Sequence, residues 1–243
     1  MNNSLNYILL NGFSGTPLPY LPSNDSIIKI VLLLGFFTII FTLNKSKRVL
    51  ISLGENFKSS KEHTSILSAI TNSEILSLLL LVLQATAIIG ILLLIYFTNN
   101  ESSVLSNITT TQFIGISSSL LVGYLFIKWI VYSIIGWVFE KKRETAIWIE
   151  SYSTCIYLIS LILYPITLFI VFYNPPTVTI VYVLGFFLII KKVLILFKGL
   201  KLFSKNIWDH ILLFLYFCAF EIIPCLLLYK CISNYINVLT FNI

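Results

Sequence analysis

Six apolar stretches, each close to the length needed to cross a bilayer, are joined by loops that alternate between basic and free of lysine and arginine. A spanning helix needs about 20 mostly apolar residues at roughly 1.5 Å of rise each. The stretches are Ser26–Leu43, Ile75–Phe97, Phe113–Phe139, Tyr152–Tyr173, Thr177–Phe197 and Ile207–Tyr229. They are continuously apolar and do not alternate, which predicts helices rather than a barrel. Composition agrees, with 58% hydrophobic and 11% charged residues, against about 45–50% and about 25% in soluble domains. The expected fold is an all-α polytopic transmembrane helix bundle of six spans. It forms one domain over residues 26–229, with a lead-in at 1–25 and a tail at 230–243.

Loop charge sets the expected orientation. Lys45, Lys47, Arg48, Lys58 and Lys61 follow the first stretch, Lys141, Lys142 and Arg143 the third, and Lys191, Lys192, Lys198, Lys201 and Lys205 the fifth. The segments 98–112 and 174–177 and the chain before Ile27 contain no lysine or arginine. The positive-inside rule therefore places both termini outside. The first 25 residues have neither a basic n-region nor a small-residue cleavage site, so a removable signal peptide is not expected.

Lys191–Lys192 interrupts the fifth stretch. Either both side chains snorkel while the helix runs on, or the helix leaves the membrane there and Val193–Phe203 lies on its surface. Lys198, Lys201 and Lys205 form one stripe, and all five lysines are expected to face anionic lipid on the cytoplasmic side. Asn174-Pro-Pro-Thr reads as a tight turn joining stretches four and five as a hairpin. Asn44–Glu74 is the longest loop, and its Val49–Leu53 and Ile66–Ile70 patches either rest on the membrane or cap the bundle.

Chemistry is sparsely signalled. There is no His-Glu-x-x-His, no pair of membrane aspartates and no glycine-rich phosphate loop. His63 and His210 are the only histidines, and Arg48 and Arg143 the only arginines. Cys155, Cys218 and Cys225 read as apolar packing residues. No catalytic residue, metal site, cofactor or nucleic-acid contact is expected.

Polar residues at membrane depth are the exception. Gln84, Lys128 and Glu221 lie roughly 14, 16 and 21 Å from the cytoplasmic helix ends at about 1.5 Å per residue. A charge at the bilayer centre costs about 2.5–3.5 kcal/mol on insertion scales, so both charges are expected to face inward. A Lys128–Glu221 ion pair is expected, with Gln84 satisfying leftover donors or acceptors. Pro165 and Pro224 each remove a backbone hydrogen bond and are candidate kinks. The tryptophans read mainly as interface anchors, and no aromatic cage is expected. Ser117, Ser118 and Ser119 form a small-residue patch where a neighbouring helix can approach closely.

The segment from Phe214 to Lys230, with Glu221 and Pro224 at its centre, resembles the closing signature of a Bacteroidota membrane family, domain of unknown function 4271. Lys192, Lys198 and Gly199 fit the same pattern, and the similarity covers Ile75 to Lys230. The resemblance implies a polytopic inner-membrane protein, and no activity transfers with it. The leading expectation is a non-enzymatic accessory or assembly subunit of an envelope complex, with anionic lipids and other envelope membrane proteins as partners. The alternatives are a small proton- or cation-coupled permease using Glu221 and, third, a lipid-modifying enzyme.

Overall fold

The computed structural model describes residues 21–58, 72–100, 109–138 and 142–203, together with isolated helical positions between 223 and 234. Five helices carry the fold: α1 (Ser26–Lys58), α2 (Asn72–Asn100), α3 (Thr110–Val138), α4 (Lys142–Tyr173) and α5 (Thr177–Phe203), with a short 3₁₀ turn at Pro22–Asn24 before α1. All five are long and apolar enough to cross a membrane. Ile223 and Pro224 are helical, whereas Glu221 and most of the sixth apolar stretch lie outside the described residues. Successive helices run in opposite senses, so the bundle has an Asp25 end and a Lys58 end.

Three helices outrun the stretches expected from apolarity. α1 continues fifteen residues past Leu43, through Lys45, Lys47 and Arg48 to Lys58. Lysine and arginine are good helix formers, and the extension has an apolar side: Val49 and Leu50 are buried against Leu78, Leu81 and Tyr157. The Val49–Leu53 patch therefore caps the bundle at its start; Ile66–Ile70 falls outside the described residues. α4 begins at Lys142, ten residues before Tyr152. α5 passes through Lys191–Lys192 without a break, so the separate surface helix over Val193–Phe203 does not form.

The helix ends at the Asp25 end are tied by side chains. One carboxylate oxygen of Asp25 caps α1 by accepting the Ile27 N–H at 2.9 Å. The other accepts the Thr110 hydroxyl of α3 at 2.5 Å. Thr109 and Gln112 exchange side-chain-to-backbone bonds of 3.4 and 3.2 Å, a capping box that starts α3. Asn174 adopts φ 48° after α4, its N–H closing on the Ile170 carbonyl at 3.0 Å. Pro175 and Pro176 prevent further winding, and α5 returns antiparallel against α4. Asp25→Ala should cost about 1–2 kcal/mol, the range for a lost cap, and Asp25→Asn less. Thermal unfolding in detergent checks this; equal midpoints for Asp25→Ala and the parent would show that the tie contributes nothing.

α2 is the centre of the described bundle, packing against each of the other four helices. In its membrane-length segment 61% is buried, against 50% for α4 and 11–22% for α1, α3 and α5. An α-helix that is apolar on every side belongs in the middle, and α2 has no charged residue between Glu74 and Asn100. Its half toward the Asp25 end contributes Ile88, Ile91, Leu92, Leu94, Ile95 and Phe97 to a continuous apolar core with Ile28, Leu32, Phe113, Ile170, Val171 and Ile180. α3 approaches closely at Gly90, where an added Cβ would lie 2.8 Å from the Ser117 hydroxyl oxygen and 3.3 Å from that of Ser118. The serine patch thus meets a glycine. α4 runs as one helix through Pro165.

Candidate functional site

Polar side chains are distributed unevenly along the bundle. Toward the Asp25 end, Ser117, Thr98 and Thr167 bond carbonyls of their own helices, and the buried Ser118 hydroxyl beside Gly90 has no partner among the described residues. Toward the Lys58 end, two polar features occupy the interior.

The first surrounds Lys128, which is 5% exposed. Tyr124, Lys128 and Tyr132 recur every four residues on one face of α3. The Lys128 ammonium lies 5.1 Å from the Tyr124 ring centroid, 6.0 Å from Tyr132 and, across the interface with α4, 5.1 Å from Tyr152. Lys191 reaches Tyr152 from α5: its ammonium lies 4.6 Å from the ring centroid and donates to the hydroxyl at 3.2 Å. Tyr132 meets Trp148 and Tyr152 edge-on at 6.1 and 5.8 Å. Cys155 and Ile195 complete the packed cluster. Glu150, one turn after Ile147, is buried on α4 at the same end.

This cluster departs from expectation in several ways. An aromatic cage does exist, and two of its three rings were legible in the i, i+4, i+8 spacing of Tyr124, Lys128 and Tyr132. Tyr152 carried no sequence signal, because its role depends on where α3, α4 and α5 meet. Lys191 turns toward that ring, and Lys198 is 8% exposed, so neither has the wholly lipid-facing side chain expected of the basic set. Lys192 is half-buried; the side chains of Lys201 and Lys205 lie outside the described residues. Trp148 is a core residue rather than an anchor, whereas Trp129 and Trp137 are exposed. Burial is tolerable for these ammonium groups because aromatic faces carry partial negative charge, each contact contributing about 0.5–2 kcal/mol as water is excluded. No group of three metal-ligating side chains occurs among the described residues.

The second feature is a polar seam between α1, α2 and α4. The Ser46 and Ser77 hydroxyls bond one another, and Thr42 donates to the Ser77 carbonyl at 3.3 Å. One turn along, Ser160 donates to the Leu81 carbonyl at 3.2 Å. Tyr164 donates to the Leu32 carbonyl at 2.9 Å. Gln84 stands beside Gly35 and Tyr164 and makes no side-chain hydrogen bond among the described residues. It is therefore not bonded to Lys128: Gln84 faces α1 and α4, Lys128 faces the tyrosines, and Glu221 lies outside the described residues. The seam ends at Gln84, and Ile88 and Ile91 begin the apolar core beyond it.

The family description "Domain of unknown function (DUF4271)" matches residues 28–232. The chain belongs to that family. The DUF4271 match begins well before Ile75, where the resemblance in the sequence starts, and so takes in nearly all of α1. Both polar features fall wholly inside it. No curated protein and no solved structure matches the chain.

Proposed function

We propose that this member of the DUF4271 family is a six-span inner-membrane protein of a Bacteroidota cell, with both termini periplasmic, serving as a non-enzymatic accessory or assembly subunit of an envelope complex. The observation that carries this reading is the apolar core of the Asp25 half. Ile88, Ile91, Leu92 and Ile95 pack there in one apolar core with Ile28, Phe113, Ile170 and Ile180, and the Ser117, Thr98 and Thr167 hydroxyls of that half bond carbonyls of their own helices. Such a body suits a rigid scaffold better than a conduit. Lys128 and Glu221 form an internal clasp in this reading, the tyrosine cage holding the ammonium in place for the carboxylate. The apolar outer faces of α1 (Leu33, Leu34, Phe37, Ile40) and α5 (Tyr182, Phe186, Ile189, Phe197) are available to lipid and to neighbouring membrane proteins.

Flux measurement separates the scaffold from the permease. Proteoliposomes under a pH gradient, with an internal pH dye, should acidify no faster than empty liposomes. Photo-crosslinking from position 37 in native membranes should capture a discrete partner. Proton or cation flux that Glu221→Gln abolishes would transfer the assignment to the permease.

A further inference from the structure

We propose that Gln84 holds a buried water molecule at the inner end of the polar seam, where α1, α2 and α4 meet. Gln84 is 7% exposed, and neither its amide nitrogen nor its oxygen has a hydrogen-bond partner among the described residues. A primary amide has two donors and an oxygen with two lone pairs, and leaving all of them unmet within a bundle is costly. The surroundings determine what can meet them. A Cβ built on Gly35 would lie 3.5 Å from the Gln84 amide nitrogen and 3.0 Å from Cε2 of Tyr164, so the amide and the tyrosine converge on the side-chain-free face of Gly35.

Donors and acceptors at this junction are unbalanced. The Tyr164 hydroxyl is committed as a donor to Leu32 and that of Ser160 to Leu81. Lone pairs remain on both hydroxyl oxygens and on the Gln84 oxygen, and neither hydroxyl has a proton left to offer. The missing partner must donate hydrogens and also accept one from the amide nitrogen. Water does both, and buried waters typically make about three such bonds. Gln84, Gly35, Tyr164 and Ser160 carry no charge, so a neutral ligand fits better than an ion. Ser77 to Gln84 is seven residues of α2, about 10 Å at 1.5 Å per residue, and over that length Ser46, Thr42 and Ser160 supply buried hydroxyls.

The chain has two glutamines, Gln84 and Gln112, so ¹⁵N-glutamine labelling yields two side-chain amide signals. Gln112→Asn assigns them. In water-edited solid-state NMR of the full chain in deuterated-lipid bilayers, the Gln84 amide should gain water magnetisation within twofold of the rate for exposed Gln112. Tyr164→Phe should slow that transfer at least threefold by removing one of the water's anchors. Transfer to Gln84 in the parent that is tenfold slower than to Gln112 would mean a dry amide and would overturn the proposal. A thermal midpoint gives an independent sign. Gln84→Met should leave it unchanged or lower it, because a bridged water is lost; a raised midpoint would mean that the amide was unpartnered, and the proposal would fall. Neither readout depends on whether the protein is a scaffold or a permease.

Discussion

Tyr152→Leu is expected to destabilise the bundle by about 3 kcal/mol, and Tyr152→Phe by about 1 kcal/mol. Burying apolar area adds little driving force between helices already in lipid, because the acyl chains are as apolar as leucine. What Tyr152 contributes is specific. Its hydroxyl accepts from the Lys191 ammonium, and a hydrogen bond involving a charged group is worth about 1.5–3 kcal/mol net when buried, less where water reaches it. Its ring lies within cation–π range of two ammonium groups at once, each contact worth up to about 2 kcal/mol when desolvated. Phenylalanine keeps the ring and loses the hydroxyl; leucine loses both, taking one of three rings from Lys128 and the ring that Lys191 meets. Unfolding in mixed micelles of rising denaturing-detergent fraction would measure the difference. Equal losses for the two variants would show that the ring contributes only bulk.

Gly90→Leu is expected to separate α2 from α3 and to cost about 3 kcal/mol, the upper part of the range for overpacking. The Cβ alone would lie 2.8 Å from the Ser117 oxygen, closer than side chains tolerate, with the Ile114 carbonyl at 3.6 Å behind it. A serine hydroxyl can rotate away from one methyl group but the α3 backbone cannot make room for an isobutyl group. Gly90→Ala separates local clash from helix propensity. Alanine in place of glycine within a helix gains about 0.5–1 kcal/mol, so Gly90→Ala should be close to neutral in the parent and stabilising in a Ser117→Ala background. If Ser117→Ala changes nothing for Gly90→Ala, the close approach at Gly90 does not limit packing.

These predictions mark where sequence reasoning stopped. Apolar length located five helices correctly because burial in lipid or protein requires it of every residue in the run. It misjudged three helix ends, at Lys58, Lys142 and Phe203, because an amphipathic extension such as Lys45–Lys58 needs only one apolar side. The charge argument brought Lys128 inward on its own helix, as its burial bears out. It paired Lys128 with Glu221 and set Gln84 beside them by depth alone, and depth does not specify direction: Gln84 turns to Gly35 and Tyr164 on another face of α2.

Membrane class, helical architecture and the inward placement of Lys128 followed from composition and charge, since each depends on the cost of putting one residue or one segment into hydrocarbon. The choice of α2 as the centre, the Tyr152 ring shared between Lys128 and Lys191, the meeting of Gly90 with Ser117, and the closing of the polar seam at Ile88 were decided by tertiary structure. Each needs residues from two or three helices at one point in space, and the azimuth of a helix about its own axis is set by its neighbours rather than by its hydrophobicity.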